Sequence, residues 1–230
     1  AHITNPDGSR RAGLFIKEEV VDGFQSSAYV KDLKLTVRLK AGIDRVDPED
    51  GDTLDLFLEG ANSLEAMGEN ENMDIVWNAG EDGSFLGGSE AKCLVSKELF
   101  ETNGWKLGEK ISLCQYYYTQ EDAKWGNVLM KPLETGEYEI AGYADLTARW
   151  SSSSTSQVTP DILVPFSLIR EAYQRHDIPF YADSVSFSLA NTLELNAFKQ
   201  EMKELGLQNM NPLSRESTLN GVALTVNDAS

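Results

Sequence analysis

Leu33, Leu35, Val37 and Leu39 alternate with Lys34, Thr36, Arg38 and Lys40, the two-residue period of a strand with one face in a core and the other in water. Just upstream, Phe15, Ile16, Val20, Val21 and Phe24 recur at helical spacing with acids on the opposite face, which predicts a helix within 14–27. The turn signal Asp-Pro-Glu-Asp-Gly-Asp at 47–52 is followed by a second strand over 53–60, and Met73 to Trp77 is a short apolar run. Within 91–113, Cys93 to Val95 reads as a short buried strand and Ser96 as a helix N-cap. Leu99 and Phe100 then form the apolar face, Gly104 the stop, and 110–119 the next strand. Residues 136–146 read as a strand interrupted by Gly142, and the Ser-rich 149–160 segment as a surface loop bounded by Pro160. Beyond it, 161–176 reads as a strand, Pro165, and a short helix with Ser167 as N-cap. Residues 184–190 alternate, with Val185, Phe187 and Leu189 inward. Asn191 is placed to cap a helix, with Glu194 three residues on. Leu195, Phe198, Met202 and Leu205 form its stripe, Gly206 ends it, and 218–226 reads as a last strand.

Helix-and-strand pairs at both ends therefore flank a β-rich middle, an α+β pattern. Hydrophobic residues at 41% and charged ones at 25% are ordinary for a folded protein of 230 residues. The net charge of −17 repels phosphate backbones and anionic lipid, so nucleic-acid binding and polybasic membrane docking are both disfavoured. No run of 18 apolar residues is present, so the chain holds no transmembrane helix. Its polar start, Ala1-His-Ile-Thr-Asn, reads as that of a processed form or a piece of something longer.

Each catalytic pattern falls short. Gly83-Ser84-Phe85-Leu86-Gly87 has the wrong spacing for a nucleophile elbow, and no strand precedes it. His176, the one credible histidine for a triad, falls in the last turn of a helix, where a cation suits the dipole. Counting back from Gly51 puts Pro48 and Val46 where a calcium loop needs ligands. Gly87-Gly88 lacks the spacing of a phosphate cradle, and Glu98, Asp145 and His176 define no centre. Cys93 and Cys114 are too few for a disulfide scaffold or a zinc site; a bond between neighbouring strands and two buried thiols both stay open. Tyr116 to Tyr118 with Trp125 offers an aromatic platform. Its functional reading is a secreted binding module or adhesin that contacts glycan or protein through Tyr117 and Trp125; its bland reading is a strand divided by its pleat. No catalytic residue, cofactor site or metal site is nominated.

The unit at 91–113 resembles the recurring core of MacB-like periplasmic domains, the extracytoplasmic domains of ABC transporter permeases in the MacB/FtsX-like superfamily. Val95-Ser96, Leu99-Phe100 and Lys106-Leu107-Gly108-Glu109 before Ile111 and Leu113 match the family's strand end, helix and Lys-Val-Gly-Asp turn. In the family's order, Glu137 to Ala144 resembles its Val-Val-Gly-Ile strand with Gly142 matching. Asp161 to Ile169 resembles its Val-Pro-Leu step with Pro165 matching. Residues 185–206 and 15–39 resemble the late strand-plus-helix and the first helix with its strand, so the likeness covers most of 14–206. The Lys-Leu-Gly-Glu turn, the Ser-rich 151–156 and the poorly aligned 61–90 depart from the pattern.

The resemblance implies a two-lobed α+β domain. Residues 1–60 with 180–230 would form a βαβ-rich membrane-proximal lobe, and 61–179 an inserted β-rich distal lobe. Ser96, Gly108, Gly142 and Pro165 are then structural motif residues of a non-catalytic scaffold. The implied parent is membrane-anchored at the cell surface or in the periplasm. It relays ATP-driven motion from an ATPase subunit through transmembrane segments to a peptide, lipoprotein or lipid-like substrate, with a homodimer in the full transporter among the implied arrangements. No cofactor and no ligand residue is carried over. The reading also demands that both chain ends lie near one another.

Overall fold

The computed structural model describes residues 16–43, 56–67, 73–119, 129–146 and 160–204. In chain order the elements are β1 (Ile16–Lys17), α1 (Glu18–Ser26), β2 (Val30–Ile43), β3 (Leu56–Ala61), β4 (Ile75–Trp77), β5 (Lys92–Ser96) and α2 (Lys97–Asn103). They continue with β6 (Lys110–Thr119), β7 (Leu129–Ala144), β8 (Ile162–Pro165), α3 (Phe166–Arg175), β9 (Tyr181–Ala182), β10 (Ser184–Leu189) and α4 (Leu195–Glu204). Single 3-10 turns lie at Leu64–Met67, Ser84–Gly87 and Thr192–Glu194. The fold is α+β. The turn at 47–52, the strand expected at 218–226, Trp125 and most of the Ser-rich segment lie outside the described residues.

Contacts divide the chain into two compact units, residues 1–35 with 180–230 and residues 36–179. The first break falls inside β2, after Leu35, where the resemblance implies one after residue 60. Strand pairing is the reason: β3 is antiparallel to β2 from Thr36↔Ala61 to Ala41↔Leu56, and parallel to β8, so the β2–β3 hairpin belongs to the second unit.

In the unit of the chain ends, Val20, Val21 and Phe24 are the buried stripe of α1. Ile16 belongs to that apolar set but not to the helix. It sits in β1, paired with Ala182 of β9, and is buried there. β10 follows β2 in the sheet order, and the Ala190 N–H donates to Tyr29 O at 2.8 Å. Strict alternation of exposed and half-buried residues along β10 turns Phe187 toward Phe24 (centroids 4.9 Å apart) and Phe198 of α4 (5.5 Å). Asn191 Oδ1 accepts from the Leu193 N–H at 3.0 Å, so it caps the 3-10 turn; α4 proper begins at Leu195 and buries Phe198 and Met202.

In the 36–179 unit, β2, β3, β8, β5, β7 and β6 pair in a closed circuit, because β6 joins β7 on one side and β2 on the other. Closure leaves these strands little free backbone edge. β4 extends the sheet along β7 at 142–144, beyond the stretch that β6 covers. β5 lies between β8 and β7, and Cys93, Leu94 and Val95 are all fully buried. That explains why it reads as a continuous apolar run instead of an alternating one. Burial of a leucine such as Leu94 is worth about 1.5–3 kcal/mol. One face of the sheet packs Leu94, Leu163 and Ala141 against Phe85, Leu86 and Met67 from the 3-10 turns. On the circuit, Glu59 is buried, and Arg38 directly across the β2–β3 ladder answers it, with Nε donating to Oε2 at 3.0 Å.

β7 is longer than the pattern at 136–146 predicts, and it carries two irregularities. Opposite β5 the register steps from Cys93↔Ile140 to Leu94↔Gly142, leaving Ala141 as the extra residue, whose carbonyl accepts the Asn78 N–H at 2.8 Å. Opposite β6 it steps from Gln115↔Glu134 to Tyr116↔Pro132. Pro132 has no N–H to give the ladder, and a bulge is where a strand tolerates that.

Candidate functional site

The four motif residues each occupy the end or the turning point of an element around β5 and β7. Ser96 ends β5 and caps α2. Its Oγ accepts the Leu99 N–H at 3.3 Å, and its own N–H donates to Asp161 O at 2.8 Å. Gly104 closes the helix in the left-handed region, φ 64°, as the sequence predicts. Gly108 has φ +78°, and its N–H donates to Ile140 O at 2.9 Å, tying the turn before β6 to β7. Gly142 faces Trp77 of β4 and Leu94 of β5. Pro165 ends β8 opposite Ala61 and stands at the N-cap of α3, where its missing N–H costs nothing. The helix therefore starts two residues earlier than a Ser167 cap requires. Ser167 lies inside α3, and its Oγ donates to Gly88 O. Alanine at position 108 must adopt the left-handed conformation, so G108A is expected to cost about 1–2 kcal/mol in urea unfolding. A loss below a few tenths would show that the turn does not need glycine.

Beside the first turn of α2 lies a depression of about 280 Å³ lined by Ser96, Lys97, Glu98, Glu101, Thr102, Asp145 and Leu146. Glu98 and Asp145 thus come together here, both exposed to water, while His176 is not among the lining residues. His176 caps the end of α3, with Nε2 3.2 Å from Glu134 Oε2, a carboxylate that Arg175 also holds at 2.7 Å. His176 thus shares the half-buried Glu134 carboxylate with Arg175. Among the described residues, no group of three or more His, Cys, Asp or Glu side chains is placed to hold a metal ion.

The cysteines are two free buried thiols. Cys93 stands opposite Ile140, and Cys114 opposite Thr135, whose Oγ1 donates to its Sγ at 3.3 Å. Burial pushes the Cys93 thiol well above its ordinary range, and the charge of Glu139 adds to the shift, so Cys93 is not a poised nucleophile. Of the aromatic run, Tyr116 is buried and Tyr117 packs edge-on against Tyr173 at 5.8 Å. Inside the same unit the Gln115 amide donates to the Tyr138 hydroxyl, whose pKa burial pushes up to about 12.

Asp161 is the residue that sequence reasoning missed. Its carboxylate accepts the Phe57 N–H at 2.7 Å, and its own N–H donates to Phe57 O at 2.8 Å, so it fastens the start of β8 to β3. Burial raises its pKa against the lowering effects of that hydrogen bond and of Lys40. A carboxyl whose folded pKa exceeds its unfolded one stabilises most below the unfolded value, 3.8, and loses that contribution as pH climbs through the folded value. Asp161→Asn keeps an acceptor for Phe57 and removes the charge, so it is expected to stay within about 1 kcal/mol of the parent at pH 7. In the variant the slope of stability against pH just above pH 3.8 should become more positive, because the parent loses the Asp161 contribution there, as measured by urea titration at each pH. A slope that is unchanged or more negative in the variant would contradict this assignment.

The arrangement offers turns, caps and close strand packing around β5 and β7. Solved structures are similar to this chain at low sequence identity. The periplasmic region of MacB from Actinobacillus actinomycetemcomitans is similar at 10% identity and a TM-score of 0.46, over 89% of this chain and 81% of that one. The extracellular domain of the noncanonic ABC-type transporter YknZ from Gram-positive bacteria is similar at 14% identity and a TM-score of 0.44, over 89% of this chain and 90% of that one. The chain is similar to transporter domains outside the cytoplasm. No protein-family model matches it, and no curated protein does. No described helix is long and apolar enough to cross a membrane.

Proposed function

We propose that the chain is the extracytoplasmic domain of an ABC transporter permease. In this reading it acts mechanically, conveying ATP-driven movement through the parent's transmembrane segments to a peptide, lipoprotein or lipid-like substrate. The observation that carries it is the course of the chain. The first described residues and the last fold into one unit, with Ile16 paired to Ala182 and Ser27 Oγ hydrogen-bonded to Glu201, while 36–179 forms a unit of its own. A domain slung between two membrane segments needs its two ends on one part of the fold. The order of Ser96, Gly108, Gly142 and Pro165 along that chain adds support, each standing at a cap, a turn or a strand crossing.

The partner in this reading is an ATPase subunit on the other side of the membrane, and the work requires a domain with two discrete arrangements. The test is to extract the full-length parent from its own membranes and capture it by a tag. ATP hydrolysis should accompany it and be abolished by replacing the phosphate-loop lysine of the co-purifying subunit. A parent that is extracted intact and brings no ATPase would overturn the proposal.

A further inference from the structure

We draw no further inference here: the strongest candidate, the acidic depression beside the first turn of α2 lined by Glu98, Glu101 and Asp145, carries nothing because its carboxylates stand open to water and no second feature of the described residues points to a ligand there.

Discussion

Gly142→Ala is expected to destabilise the 36–179 unit by about 3 kcal/mol, and Gly142→Val by more. A Cβ at this position would come within 2.7 Å of Trp77 Cε3, 2.9 Å of Val76 O and 3.2 Å of Leu94 Cδ1. None of these can step aside cheaply. Val76 O belongs to the backbone of β4, Leu94 is fully buried, and the Trp77 ring is set edge-on against Phe85, 6.4 Å between centroids. Gly142 is not at positive φ, so crowding rather than backbone conformation requires glycine here. Gly80 supplies the contrast: it has φ +87° and nothing within 4 Å of a Cβ. Gly80→Ala should therefore cost only the strain of its backbone, about 1–2 kcal/mol. Urea unfolding of both variants separates the two effects, and equal losses would show that crowding at 142 is relieved by local repacking.

Phe198→Ala is expected to cost about 3–5 kcal/mol, the usual range for emptying an aromatic site in a core. Phe198 is fully buried on α4 and meets Phe187 edge-on, and Phe187 in turn leans on Phe24 of α1. The three rings bring α1, β10 and α4 together, so removing one leaves a cavity bounded by elements from both ends of the chain. Amide exchange should accelerate across 18–26 and 184–204 in the variant. Phe198→Leu, which refills much of the volume, should recover more than half of the loss. A Phe198→Ala protein with unchanged exchange in both segments would show that this cluster does not hold the unit together.

What the sequence made legible was whatever a local period or a cap encodes. The alternation of β2, the stripe of Phe198 and Met202, the Ser96 cap and the Gly104 stop all follow from neighbours within a turn or a pleat. The misreadings came from distant partners. Ile16 fits a helical stripe, yet Ala182 draws it into a two-residue strand. Ser167 is a good cap by composition, but Pro165 already fixes the entry to α3, and the Ser167 hydroxyl goes to Gly88 instead. Leu99 and Phe100 are the apolar face of α2, as their placement in the sequence predicts. They are half-buried, and Phe100 stacks on Tyr143 of β7, 4.3 Å between centroids. The closed strand circuit was hidden for the same reason: nothing local to β6 says that it pairs with β2 as well as β7. Asp161 gave no signal either, because an aspartate after a proline looks like any turn residue until Phe57 is placed against it.

The most direct measurement asks which side of a membrane this polypeptide faces and whether it is anchored there. Cys93 and Cys114 are 0% and 5% exposed, so the native thiols should give little background with a bulky reagent. Glu101, exposed on α2, can be replaced by cysteine in the full-length protein without disturbing a buried contact. A maleimide that does not cross membranes should label that cysteine in intact cells, and the labelled protein should stay in the membrane pellet through an alkaline carbonate wash. Labelling only after lysis, or labelled protein released by the wash, would contradict the reading of this chain as part of a membrane-held permease.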